Sequence, residues 1–170
     1  MDKQLEKQIT ALERLLLQLS QAHEYLLELL NQKRVAMREA KHQEVSKFCQ
    51  LENDQIKVIS DLEKKRLAMV ADVTQLIAPD AQQPMKLLEL AENLPEPWKG
   101  RILVFRHQLM QKMQATQKQA KTTQQATVQL VKHMTGMMQK VTAACTGASA
   151  YGAKGALSER SRISTFSMTA

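Results

Sequence analysis

PWKGRILVFRHQLMQKMQATQKQAKTTQQATVQLVKHMTGMMQKVTAAC, residues 97–145, carries no proline after its first residue, and its apolar side chains return in alternating steps of four and three. Trp98, Ile102, Phe105 and Leu109 open the series, and Leu130, Met134, Met137, Val141 and Ala144 close it. That spacing is the seam of a left-handed coiled coil. Between the two runs Thr116, Ala120, Thr123 and Thr127 hold the core positions within a Gln/Lys/Thr-rich stretch, so the middle of this helix is expected to bury little and pack loosely. Pro95 and Pro97 end what precedes, and Pro97 can take the first helical position, where a missing N–H costs nothing. At 1.5 Å per residue such a helix is roughly 70 Å long and needs partners of comparable length.

The preceding chain supplies them. Leu5, Ile9, Leu12, Leu16, Leu19, Leu26, Leu30 and Met37 keep the same spacing over residues 2–40, with His23 and Lys33 in the two missing core slots. Leu15, Leu17, Leu27 and Leu29 widen this stripe, which predicts more than one neighbour. The phase is lost at residues 40–43 without glycine or proline; the alternatives are a tight turn and a continuous helix with a stutter, and the turn is favoured. A second helix, 43–78, runs through Val45, Phe48, Leu51, Val58, Leu62, Met69, Val73 and Leu76 until Pro79 stops it. Gln55 and Arg66 interrupt its seam, as residues that fix register or reach to solvent do. A short helix, 84–94, follows Pro84. The expected fold is therefore all-α: an elongated antiparallel helical bundle of three long helices plus one short helix, a single domain over 1–145 with a flexible, glycine-containing tail over 146–170.

Charge is unevenly placed. Residues 1–79 hold 12 Lys/Arg and 12 Asp/Glu, whereas 97–170 hold 11 Lys/Arg and the single acid Glu159. A basic helix can attract nucleic acid, anionic lipid or an acidic protein surface, or it can simply be a solvated helix rich in Lys and Gln. Nucleic acid is disfavoured because stacking aromatics and recognisable binding modules are missing. No signal peptide and no membrane span are expected, which points to a cytoplasmic protein in which Cys49 and Cys145 are buried reduced thiols.

No catalytic chemistry is indicated. The four histidines are scattered, no His-Glu-x-x-His or Cys-x-x-Cys occurs, and Gly152-Ala-Lys-Gly155 lacks the spacing and ending of a phosphate loop. Carboxylates sit beside Lys and Arg, as in Glu63-Lys-Lys-Arg66, without an apolar cleft to tune them. The expectation is a non-enzyme with no metal, no cofactor and no small-molecule substrate. Leu130, Val131, Met134, Met137, Met138 and Val141 are candidates for binding an amphipathic helix of a partner protein, the flexible thioethers accepting several shapes; ordinary core filling is the alternative.

The order of these pieces resembles the FlgN family of flagellar export chaperones. The residues that carry the resemblance are the Leu-rich first helix, Leu62-Glu-Lys-Lys-Arg66 in the second, the junction Leu94-Pro-Glu-Pro97, the third long helix, and Tyr151-Gly-Ala-Lys-Gly155 near the end. The resemblance implies a cytosolic chaperone of type III protein export that binds the C-terminal segment of hook–filament junction proteins, prevents premature assembly, and delivers them to the cytosolic domain of the flagellar export gate. The tyrosine of the last element is associated with gate contact in that family, so Tyr151 is the docking candidate, the alternative being a side chain folded back on the bundle. Two features depart from the pattern: the chain is basic, and Lys121-Thr-Thr-Gln-Gln-Ala-Thr127 stands where relatives tend to have an Asn followed by leucines. The competing reading is a structural coiled-coil adaptor whose basic half binds nucleic acid or anionic membrane.

Overall fold

The computed structural model describes residues 3–147 and forms four helices: α1 (Lys3–Arg38), α2 (His42–Ile77), α3 (Leu87–Glu92) and α4 (Trp98–Gly147). No strand occurs among the described residues. The chain divides into two units, 1–130 and 131–170.

In the first unit the three long helices run up, down and up. α1 and α2 are antiparallel, as the bond from Gln55 Nε2 to the Ala22 carbonyl at 2.9 Å and the Lys33–Glu52 ion pair record. α4 therefore runs parallel to α1. A ladder of side-chain contacts climbs both helices together: Glu13 to Arg101 at 2.7 Å, Glu24 to Lys112 at 2.8 Å, Asn31 to Gln119 at 3.0 Å and Met37 to Thr127 at 3.5 Å. The broad stripe of α1 serves both neighbours, and Ile9, Leu12, Leu16, Leu19, Leu26, Leu29 and Leu30 are buried. The main core joins the first half of α1 to Val70 and Val73 of α2, Leu90 and Ala91 of α3, Leu94, and Ile102 and Leu109 of α4. Burial of each Leu, Ile or Val among them contributes roughly 1.5–3 kcal/mol before chain entropy is counted.

The turn after α1 is tight, as expected. Lys41 N–H bonds the Ala36 carbonyl at 3.0 Å and Ala40 N–H the Met37 carbonyl at 3.3 Å, the paired bonds of a Schellman cap. Ala40 takes φ 56°, the left-handed position that usually falls to glycine. α1 thus ends two residues before the predicted 40. The short helix is tighter than the predicted 84–94. The Glu89 carboxylate accepts the Lys86 N–H at 3.0 Å and fixes the start at Leu87, while the Asn93 side chain bonds the Glu89 carbonyl at 2.8 Å and ends it. Thr74 Oγ1 accepts the Met85 N–H at 3.1 Å, tying the connection back onto α2. α4 opens one residue after Pro97, whose carbonyl accepts the Arg101 N–H at 3.2 Å.

Two expectations about α4 are overturned. Its threonine-rich middle was expected to bury little, yet Thr116 and Thr123 are buried at seven-residue intervals from Ile102 and Leu109, while Ala120 and Thr127 are half-buried. At Thr116 the hydroxyl bonds its own helix, Oγ1 to the Lys112 carbonyl at 2.8 Å, leaving the methyl for the neighbour, whereas the Thr123 hydroxyl is buried without a partner. Cys145 is exposed and Cys49 half-buried, so the expectation of two buried thiols is corrected.

His23 and Lys33, the polar residues placed in the core slots of α1, are buried, as is Glu13, while Gln55 and Arg66 in the seam of α2 are half-buried. Lys33 meets Glu52. His23 has both ring nitrogens buried without a partner, and burial pushes its pKa down, with the Glu63 carboxylate pulling the other way. Glu13 is buried with one oxygen on Arg101 and the other without a partner; burial raises its pKa and Arg101 opposes the rise.

Candidate functional site

The candidate partner-binding residues fall on either side of the unit boundary. Leu130 is the last residue of the first unit and is half-buried. Val131, Met134, Met137, Met138 and Val141 lie in the second unit and are exposed, from 41 % at Met134 to 71 % at Met138. All five sit on the final turns of α4.

Their spacing makes them a surface. Val131, Met134, Met138 and Val141 follow one another at three, four and three residues, so they share one helical face, with Met137 beside them. Lys132, His133, Gln139 and Lys140 are exposed on the other faces, which gives this segment the amphipathic character of a packing helix. Each of these five is well exposed among the described residues. A contiguous apolar face of this kind is costly in water and marks a binding surface more often than chance exposure of single side chains does.

Gly136 lies inside this segment. A Cβ built there meets nothing within 4 Å, so no close approach requires glycine, and its backbone freedom lowers the helical stability of the turns around it.

The sequence reading passed over other exposed apolar side chains: Ile56 and Leu67 on α2, and Val104, Met110 and Val128 on α4. Ile56 and Val128 sit between polar residues in the sequence, whereas Val104 adjoins Phe105 and Met110 adjoins Leu109, so a reading that follows the seam positions passes over them. Tyr151 and the tail over 148–170 lie outside the described residues. No group of three or more His, Cys, Asp or Glu side chains that could hold a metal ion occurs among the described residues. No helix among them is long and apolar enough to cross a membrane.

A family model described as FlgN protein matches residues 1–159. No curated protein and no solved structure matches the chain.

Proposed function

The chain belongs to the FlgN family, whose role is flagellar export chaperoning, and from that premise we propose that it binds the C-terminal segment of hook–filament junction proteins on the face formed by Val131, Met134, Met137, Met138 and Val141. Leu130 precedes them in the chain. Occupation of the face keeps the junction protein from assembling early, and the complex is then delivered in the cytoplasm to the cytosolic domain of the export gate, with Tyr151 as the docking residue.

The observation that supports this reading is the uncovered apolar face itself. An amphipathic client helix laid on it removes the methionines from water, and thioether flexibility lets one face accept more than one client. The test is titration calorimetry of the full chain with a purified junction protein. A Val131→Asp, Met138→Asp double variant weakens binding by at least about a hundredfold, on the expectation that two central apolar contacts each contribute about 1.5–3 kcal/mol. Wild-type affinity in that variant refutes the assignment of the face.

One observation favours the adaptor reading: residues 98–147 carry eight Lys/Arg and no Asp or Glu. Salt separates the two. Affinity for nucleic acid or anionic vesicles falls steeply between 50 and 200 mM salt, roughly 10³-fold or more where six phosphates are contacted, while apolar helix binding changes little.

A further inference from the structure

The Leu62-Glu-Lys-Lys-Arg66 segment has no part in the client face, yet two of its side chains line a cavity of about 200 Å³ in the first unit. Glu63 and Arg66 of α2 supply its polar wall, and Arg106 of α4 faces the same space. Leu109, Met110 and Met113 of α4 make it apolar, with Leu87 at the start of α3.

The charges in this cavity do not balance. Arg66 Nε donates to Glu63 Oε2 at 2.7 Å, with both side chains largely sheltered from solvent. Arg106 is half-buried and makes no ion pair or hydrogen bond among the described residues. Two guanidiniums therefore face one carboxylate, and the unmatched one stands beside exposed Met110. A partly desolvated guanidinium gains most from a carboxylate, whose two oxygens match its planar fork.

Size narrows the occupant. A cofactor or drug-sized ligand fills about 300–1,000 Å³, so this cavity accepts one or two side chains. A second copy of α4 brings no acid to meet Arg106, because residues 98–147 contain none. We infer that the cavity is a docking point for a partner-protein helix that sets one aliphatic side chain against Met110 and Met113 and one Asp or Glu, a turn away, on Arg106. The aliphatic group supplies burial and the carboxylate supplies orientation, so a partner lacking either is rejected. The proposal uses residues of the first unit alone and stands whether or not a junction protein binds the α4 face.

The test titrates the full chain, labelled with ¹³C at its methionine methyls, with an alanine-rich helical peptide bearing Leu and Glu at positions i and i+4. Saturable shifts are expected at Met110 and Met113. Apparent affinity falls about tenfold when the peptide Glu becomes Gln, and by a similar factor in Arg106→Gln, with helical content unchanged; Arg106→Lys, which keeps charge but not the fork, loses less. No shift at Met110 and Met113, or shifts indifferent to Arg106→Gln, overturns the proposal. So does an equal response to free glutamate at the same concentration, which would make this a small-carboxylate site.

Discussion

The Glu13 carboxylate and the Arg101 guanidinium, 88 residues apart in the chain, meet at 2.7 Å where α1 and α4 run side by side. Their environments differ: the Glu13 side chain is 5 % exposed and Arg101 52 %. Arg101 also stacks over the Trp98 ring, 5.0 Å from its centroid. Removing the arginine therefore strands a buried carboxylate, whereas removing the acid leaves a cation that water can solvate. Arg101→Ala is expected to cost about 1–3 kcal/mol, and Glu13→Gln less. Because burial then acts on Glu13 unopposed, its folded pKa rises further above the ordinary 4.5, so the cost of Arg101→Ala shrinks as pH falls toward that value. Urea denaturation of the two single variants and the double at pH 5 and pH 8 measures the coupling; equal costs at both pH values would contradict it.

His23 makes the fold sensitive to acid. Burial holds its pKa in the folded chain below the ordinary 6.5, with Glu63 opposing. The unfolded chain then binds the proton first as pH drops, so stability is full above about 6.5 and declines as pH falls through that value toward the folded pKa. Both imidazole nitrogens lack partners, so His23→Leu discards a desolvated polar ring and is expected to raise stability at pH 7 by about 1 kcal/mol. It also flattens the decline between pH 7.5 and pH 5.5, as unfolding midpoints at the two pH values report.

Ala40 holds a left-handed backbone at φ 56° in the cap of α1. That conformation strains any residue with a Cβ by about 1–2 kcal/mol, partly offset because glycine has more freedom to lose on folding. Ala40→Gly is expected to stabilise the first unit by about 0.5–1 kcal/mol, read as a higher urea midpoint with an unchanged m-value.

Gly136 is the converse case. It occupies an exposed helical turn with open space around its Cα, so Gly136→Ala should strengthen the local helix by about 0.5–1 kcal/mol without a clash. Amide exchange over residues 131–145 slows severalfold, while global unfolding of the first unit stays put. Unchanged exchange would mean that these turns gain nothing from helix propensity.

Much of the fold was legible because apolar spacing survives interruption. His23 and Lys33 break the stripe of α1, and the phase still predicts their burial; Gln55 breaks that of α2, and its bond to the Ala22 carbonyl fixes register as its position implied. The α4 middle was misread because burial was judged from hydrophobicity, whereas Thr116 and Thr123 bury methyl groups while one hydroxyl is satisfied within α4. Cys145 was misread for the opposite reason: an apolar position in the heptad count is buried only if something covers it. Spacing placed Val131, Met134, Met138 and Val141 on one face of α4 but left core filling and exposure both open, and the Arg106 cavity was not legible at all, since its walls are 43 residues apart from Glu63 to Arg106 and no local pattern joins them.

The ladder joining α1 to α4 also sets a schedule for the chain's own maturation. α1 and α2 are neighbours in sequence and can close as a hairpin soon after both are synthesised. The α4 partners of Glu13 and Asn31 lie 88 residues further on. At ordinary translation rates of about 5–20 residues per second, the leucine stripe of α1 waits on the order of 5 to 20 s for the helix that covers its second side. During that interval the nascent chain shows an uncovered apolar helix of its own, and a chaperone of exposed segments begins its existence as a segment in need of shelter.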